Sequence, residues 1–142
     1  MKVLSQAVGL LLITLLISVA AYFARPDAGR WDAAESEITV AEARTLTDAI
    51  WIDARADDEF EAGHYPGALS LNEENWEQGF APLLEVWRPE ATLVVYCSSE
   101  SCLRSHQVAD RLRAELGVET AFALQGGWEA MIDAGLVKGG AR

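Results

Sequence analysis

The chain has 142 residues, a length that fits one folded domain rather than two. It carries 22 acidic against 11 basic side chains, and this formal charge of −11 excludes nucleic acid as a partner by repelling its phosphates. Hydrophobic residues make up 51% of the chain and only four residues are proline, which excludes a disordered acidic tail. The two cysteines, Cys97 and Cys102, are too few for a disulfide-stapled scaffold or a four-cysteine zinc module.

The N-terminus has the features of a membrane signal. Residues 7–24 are uncharged and mostly apolar, and Lys2 precedes them. At about 1.5 Å per residue this run is just long enough to span a bilayer core. We therefore expect residues 1–24 to form a signal anchor, one hydrophobic transmembrane helix, with a cleaved signal peptide as the alternative. Both alternatives place the domain on the extracytoplasmic (periplasmic) side of a membrane, in an oxidising compartment, and cleavage would make the protein secreted.

The region after the anchor divides into a linker and a domain. Residues 25–37 show little periodicity and predict a linker, so the folded domain is expected over residues 38–142. Thr39 followed by Glu42 is a capping box, which predicts a short helix over about residues 40–48.

Short apolar runs then alternate with helical patterns. Residues 50–52 and 92–96 are apolar or β-branched without alternation, which is typical of buried strands. Apolar residues recur at helical spacing from Val108 to Leu116, and Gly117 stands where a helix C-cap belongs. Further predicted elements are a helical stripe from Trp76 to Trp87 that Pro82 either kinks or restarts, a strand over 120–124, a turn at Gly126–Gly127 and a helix over 128–134. This alternation predicts an α/β fold with a mostly parallel central sheet and helices on both faces.

Cys97 lies at the junction between the strand 92–96 and the helix that follows. Ligand sites of such sheets lie beyond the carboxyl ends of the strands, where the start of a helix stabilises an anion. The residues after the cysteine can turn their backbone amides toward a thiolate: Ser98, Ser99, Glu100, Ser101 and Cys102. This loop suits a nucleophilic thiolate or one carrying a second sulfur, but an inert buried cysteine fits the same position.

Two stretches resemble the signatures of rhodanese-like domains. Residues 53–68 match D-x-R-x-x-x-E-[FY]-x-x-G-H-[IY]-P-G-A at every specified position. Tyr96–Cys97, Arg104–Ser105 and Leu124–Trp128 are similar to the second signature, Y-C, R-S and L-x-G-G-W. The resemblance covers about residues 38–136. It implies a sulfurtransferase, in which Cys97 takes sulfane sulfur from a donor such as thiosulfate and passes it from a persulfide to cyanide or a thiol, without a cofactor.

The loop departs from the family pattern in length and charge. Six residues separate Cys97 from Arg104 where the family has four, and the spacing also differs from the C-x5-R loop of related phosphatases. We expect Arg104 to contact oxyanions of the donor, with neutralisation of Glu100 as the alternative. Glu100 and the acidic domain should weaken binding of the thiosulfate dianion, which favours a neutral, polysulfide or protein-persulfide donor.

Cys102 leaves several interpretations open. It could attack a persulfide or sulfenic acid on Cys97 and close a disulfide, which would make the protein a thiol-disulfide redox protein. It could instead pack inward as a small apolar residue. A metal site built on Cys97, Cys102 and His106 would need His64 as its fourth ligand, and His64 is better interpreted as a turn residue bonding the backbone. A non-catalytic interaction module is the remaining alternative.

Three residues of the two signatures are assigned roles other than catalysis. Asp53 and Arg55 are interpreted as a structural pair that holds the sheet edge and the following helix. Trp128, after the glycine pair, is expected to border the site.

Overall fold

The computed structural model describes residues 36–99 and 103–138, so the predicted anchor over residues 7–24 lies outside it. Within these two ranges no helix is both long and apolar enough to cross a membrane. The described residues belong to one compact unit, Ala34–Arg142.

Five parallel strands form the central sheet, in the order β1-β5-β4-β2-β3. Their bounds are Glu37–Ile38 (β1), Ala49–Asp53 (β2), Leu69–Ser70 (β3), Thr92–Tyr96 (β4) and Ala121–Leu124 (β5). The longest pairing joins β2 to β4, from Ala49 opposite Thr92 to Asp53 opposite Tyr96. The predicted parallel sheet is confirmed, and because helices cover both faces its central strands need apolar side chains at successive positions.

The helices lie on both faces of this sheet, as predicted. Their bounds are Val40–Ala43 (α1), Asp57–Ala62 (α2), Trp76–Val86 (α3), Arg104–Leu116 (α4) and Gly127–Asp133 (α5). Leu83 of α3 and Leu112 of α4 belong to one buried cluster. Ala43 of α1 and Met131 of α5 belong to a second cluster, which contains Tyr96. Each cluster includes residues of the central strands, so the sheet separates two apolar layers.

Helix α1 is shorter than predicted, although its capping box is present. The Glu42 N–H donates to the Thr39 hydroxyl at 3.2 Å, and the Thr39 N–H donates to the Glu42 carboxylate at 3.0 Å. Hydrogen bonds from Thr39 hold the pKa of Glu42 below its ordinary value. The helix ends at Ala43 rather than near residue 48, because the N–H and the hydroxyl of Thr45 both bond the Glu42 carbonyl.

The structure also tests the predictions made for Pro82 and Gly117. Helix α3 is a single helix with Pro82 inside it, so the proline does not start a new helix. Gly117 has φ +66° and caps α4 at its carboxyl end, which confirms the predicted C-cap.

Candidate active site

Cys97 follows β4 directly, and α4 begins at Arg104, as the strand–helix junction predicted. The residue is 1% exposed, and its sulfur lies 3.6 Å from the Ser99 carbonyl oxygen. Cys97 is disulfide-bonded, and the sequence holds one other cysteine, Cys102. Residues 100–102 lie outside the described ranges, so the predictions for Glu100, Ser101 and Cys102 stay predictions. A nucleophilic thiolate at Cys97 requires that this disulfide first be reduced.

The start of helix α5 holds the backbone of the cysteine loop. The Trp128 N–H donates to the Cys97 carbonyl at 2.7 Å, and the Glu129 N–H donates to the Ser98 carbonyl at 3.4 Å. Gly127 has φ +53°, and a Cβ atom there would lie 2.4 Å from the Cys97 carbonyl oxygen. The glycine before Trp128 is therefore needed twice, for its backbone conformation and for the close approach of the loop.

Asp53 and Arg55 form a buried ion pair at the end of β2, beside the cysteine loop. The Arg55 Nε lies 3.0 Å and 3.2 Å from the two carboxylate oxygens of Asp53, and Nη2 lies 2.6 Å from Oδ2. Nη2 also donates to the Gly63 carbonyl at 2.7 Å. Burial alone would lower the pKa of Arg55, but the hydrogen bonds and charge of Asp53 outweigh it and raise the pKa. The pair is a structural tie, in agreement with the sequence-based interpretation.

Aromatic rings connect this ion pair to helix α5. The Arg55 guanidinium lies 4.0 Å from the centre of the Trp128 ring, which stacks on Tyr96 at 5.8 Å. The Tyr96 hydroxyl accepts a hydrogen bond from the Tyr65 N–H at 3.2 Å. Burial, and then the negative charge of Asp53, raises the pKa of Tyr96. Trp128 thus borders the site as expected, through its backbone and its ring.

Helix α2 reaches the cysteine loop through one side chain. The Ser98 hydroxyl donates to the Glu59 Oε1 at 3.0 Å, and both residues are half-buried. Glu59 has no role among the residues predicted from the sequence. Its fixed place in the first signature was the available signal, because a glutamate specified beside the equally specified Asp53 and Arg55 has a partner in the fold.

Arg104 stands at the exposed start of α4, and no hydrogen bond or ion pair engages its side chain within residues 36–99 and 103–138. It lines a cavity of about 110 Å³ together with Ala56, Asn72, Glu73, Glu74 and Gln107. This cavity lies beside the loops that follow β2 and β3, at the carboxyl edge of the sheet. Glu73 and Glu74 share this cavity with Arg104, so the contact of Arg104 with donor oxyanions stays a prediction.

The two histidines contact other protein groups. His64 Nδ1 lies 2.9 Å from the Phe60 carbonyl oxygen, which is the backbone contact predicted for it. His106 Nε2 lies 3.1 Å from the Glu37 carboxylate. In the part of the chain that the structure describes, no three potential metal ligands form a cluster.

The arrangement of a parallel sheet, a cysteine at the end of its central strand and a buried aspartate–arginine pair beside it defines a class of α/β protein with a cysteine-centred loop. Residues 39–134 match the family of the rhodanese-like domain, and the chain therefore belongs to this family. No curated protein matches the sequence.

Solved structures with this fold come from several bacteria. A Bacillus halodurans protein is 20% identical over 75% of this chain and 78% of its own, with a TM-score of 0.60. A full-length Lactobacillus plantarum protein is 19% identical over 72% and 86%, with a TM-score of 0.55. A Staphylococcus saprophyticus protein is 23% identical over 73% and 99%, with a TM-score of 0.51. These similarities establish the fold.

Proposed function

We propose that this protein is a sulfurtransferase that moves sulfane sulfur from a donor to a thiophilic acceptor through a persulfide on Cys97. The observation that carries the proposal is the position of Cys97, at the carboxyl end of β4 and with its carbonyl fixed by the Trp128 N–H. Membership of the rhodanese-like family supports it. The donor-binding residues are proposed to be Ser98, Ser99, Glu100, Ser101, Cys102 and Arg104.

The reaction begins from the reduced protein. A thiol reductant converts the disulfide of Cys97 to thiols and is itself oxidised to a disulfide. The Cys97 thiolate then attacks the outer sulfur of thiosulfate, the S–S bond breaks, and sulfite leaves with the electron pair. Cyanide or a thiolate next attacks the terminal sulfur of the Cys97 persulfide, which releases thiocyanate or a new persulfide and restores the thiolate. Backbone amides of the loop are proposed to stabilise the anionic persulfide between these steps.

The location of the enzyme remains part of the proposal. We propose that residues 1–24 anchor the protein through the apolar run 7–24 and that the domain faces the extracytoplasmic side. The uncharged length of this run is the support, and cleavage after it would release the domain instead.

A thiol-disulfide redox function is the second candidate, because Cys97 is disulfide-bonded in the structure. The couple would be Cys97 and Cys102, the two cysteines of the sequence. In this function oxidation of the two thiols removes two hydrogens and transfers two electrons to a partner disulfide. Sulfur transfer that survives the Cys102→Ser substitution would exclude this couple as the source of the activity.

Steady-state kinetics of the full-length protein test the proposal. The reduced protein is supplied with thiosulfate or polysulfide as donor and cyanide as acceptor, and thiocyanate is measured. We expect parallel double-reciprocal lines, the pattern of a covalent intermediate, and no turnover by Cys97→Ser. An equal rate in Cys97→Ser and the wild type would overturn the proposal.

A further inference from the structure

The hydrogen bond between Ser98 and Glu59 brings a carboxylate to the residue that directly follows the proposed nucleophile. Ser98 directly follows Cys97, and its hydroxyl lies 3.0 Å from the Glu59 Oε1. Glu59 belongs to α2, whose own first turn already contains Asp57 and Asp58. The contact joins residues 39 positions apart in the sequence. It therefore results from tertiary packing of α2 against the cysteine loop.

The charge of Glu59 is only partly compensated. Arg55 is the cation that interacts with it electrostatically, but the guanidinium already makes its shortest contacts with Asp53. Two carboxylates thus share one cation at the side of the loop, which leaves an excess negative charge. Two further charged residues lie where helices meet the loop: Arg104 at the start of α4, and Glu129 of α5, whose N–H bonds the Ser98 carbonyl.

We propose that Glu59 determines donor specificity in this site. Its carboxylate positions Ser98, and its charge selects against dianionic donors, so that the preferred donor is the hydropersulfide of a thiol, R–S–SH. This inference rests on the proposed sulfurtransferase function and names the substrate class for it.

The chemistry of this donor fits an acidic site. The Cys97 thiolate attacks the terminal sulfur of R–S–SH, the S–S bond breaks, and the thiolate RS⁻ leaves and takes up a proton from water. Cys97 then carries the terminal sulfur as a persulfide. A hydropersulfide brings at most one negative charge to the site, and none when it is protonated, whereas thiosulfate brings two negative charges that Glu59 repels.

The charge effect is measured without sulfur transfer, by alkylating the reduced full-length protein in a Cys102→Ser background. Iodoacetate is anionic and iodoacetamide is neutral. The rate of Cys97 with iodoacetate divided by its rate with iodoacetamide therefore reports the local electrostatic potential. We expect Glu59→Gln, which keeps a hydrogen-bond acceptor but removes the charge, to raise this ratio about threefold at low salt. Glu59→Asp keeps the charge and should keep the ratio of the parent protein.

Two further variants separate charge from position and from general acidity. Ser98→Ala removes the hydrogen bond and leaves the charge, so we expect the two alkylation rates to change by the same factor. Glu61→Gln removes an equal charge from the exposed side of the same helix and should leave the ratio unchanged. An unchanged ratio in Glu59→Gln, or an equal rise in Glu61→Gln, overturns the assignment. Thermal melting of each variant establishes that the proteins compared are folded.

Donor kinetics complete the test. In Glu59→Gln the KM for thiosulfate should fall about threefold, with little change in kcat or in kcat/KM for the hydropersulfide of 2-mercaptoethanol. Sulfur transfer with an unchanged KM for thiosulfate would contradict the specificity role while leaving the sulfurtransferase function standing. A shifted alkylation ratio without sulfur uptake from any donor would instead contradict the sulfurtransferase function.

Discussion

The two central strands of the sheet end side by side but in different ways. Strand β2 ends at Asp53, which is fully buried and bonded to the guanidinium of Arg55. Strand β4 ends just before Cys97, where the loop is held at its carbonyl groups and at the Ser98 hydroxyl. The end of β2 is a buried, hydrogen-bonded ion pair. The end of β4 leads into a hydrogen-bonded loop around the Cys97 sulfur, whose covalent bonding can change. A rigid ion pair beside the loop would hold the proposed nucleophile, Cys97, in a defined position.

The largest effect is expected from breaking the structural pair. Asp53→Asn leaves the Arg55 charge buried without its counter-ion, which should reduce the free energy of unfolding by about 3–5 kcal/mol. Chemical denaturation followed by circular dichroism measures this loss. Asp133→Asn, at an exposed position on α5, is the matched control and should change stability by less than about 0.5 kcal/mol. Equal stabilities of the two variants would refute the structural role of Asp53.

Gly127→Ala should destabilise the protein less than Asp53→Asn does, but it should act directly on the cysteine loop. Gly135→Ala is its control. Both glycines have positive φ, +53° and +68°, so each alanine should cost about 1–2 kcal/mol in backbone strain. Only the alanine at 127 meets the Cys97 carbonyl, since a Cβ at 135 has no atom within 4 Å. We expect Gly127→Ala to lower the sulfur-transfer rate at least about tenfold and Gly135→Ala to leave it near the wild-type value. Similar rates for the two variants would mean that α5 does not position the loop.

The smallest effect concerns Tyr96, the last residue of β4, which pairs with Asp53 at the end of β2. Burial and the charge of Asp53 raise the pKa of Tyr96 above its ordinary value of 10.0, so the folded protein favours the protonated hydroxyl. This contribution to stability is fully present below pH 10 and is lost as the pH rises beyond it. Tyr96→Phe should cost about 1 kcal/mol at neutral pH, because the Tyr65 N–H loses its acceptor.

The same substitution should flatten the alkaline part of the stability profile. Unfolding free energies of the wild type and of Tyr96→Phe, measured from neutral pH to above pH 10, give this comparison. A constant difference between the two proteins across that range would exclude the titration of Tyr96 as its cause.

Elements with strong local signals were predictable from the sequence. The apolar run that became β4, the glycine cap of α4 and the capping box of α1 are all present in the structure. Strands β1 and β3 have two residues each, too few to show a period, and their identity depends on pairing with β5 and β2. The early end of α1 depends on the Thr45 hydroxyl, which competes for a carbonyl that a continuing helix would use.

The candidate site was predictable in position but not in its supports. Cys97 could be placed because a buried strand and a helical pattern flank it within the sequence. Its contact partners come from distant segments: Trp128 binds its carbonyl, and Glu59 binds the hydroxyl of the next residue. Such contacts depend on how helices pack on the sheet, which local periodicity does not encode.

The central claim is that Cys97 carries sulfur, and intact mass spectrometry of the reduced full-length protein tests it most directly. After treatment with polysulfide or thiosulfate, we predict a gain of one sulfur atom that cyanide removes. The gain should be absent in Cys97→Ser and retained in Cys102→Ser. The contrary result is a protein that takes up no sulfur and instead loses two hydrogens, a loss that the replacement of either cysteine prevents. That result would contradict the claim and establish a redox couple.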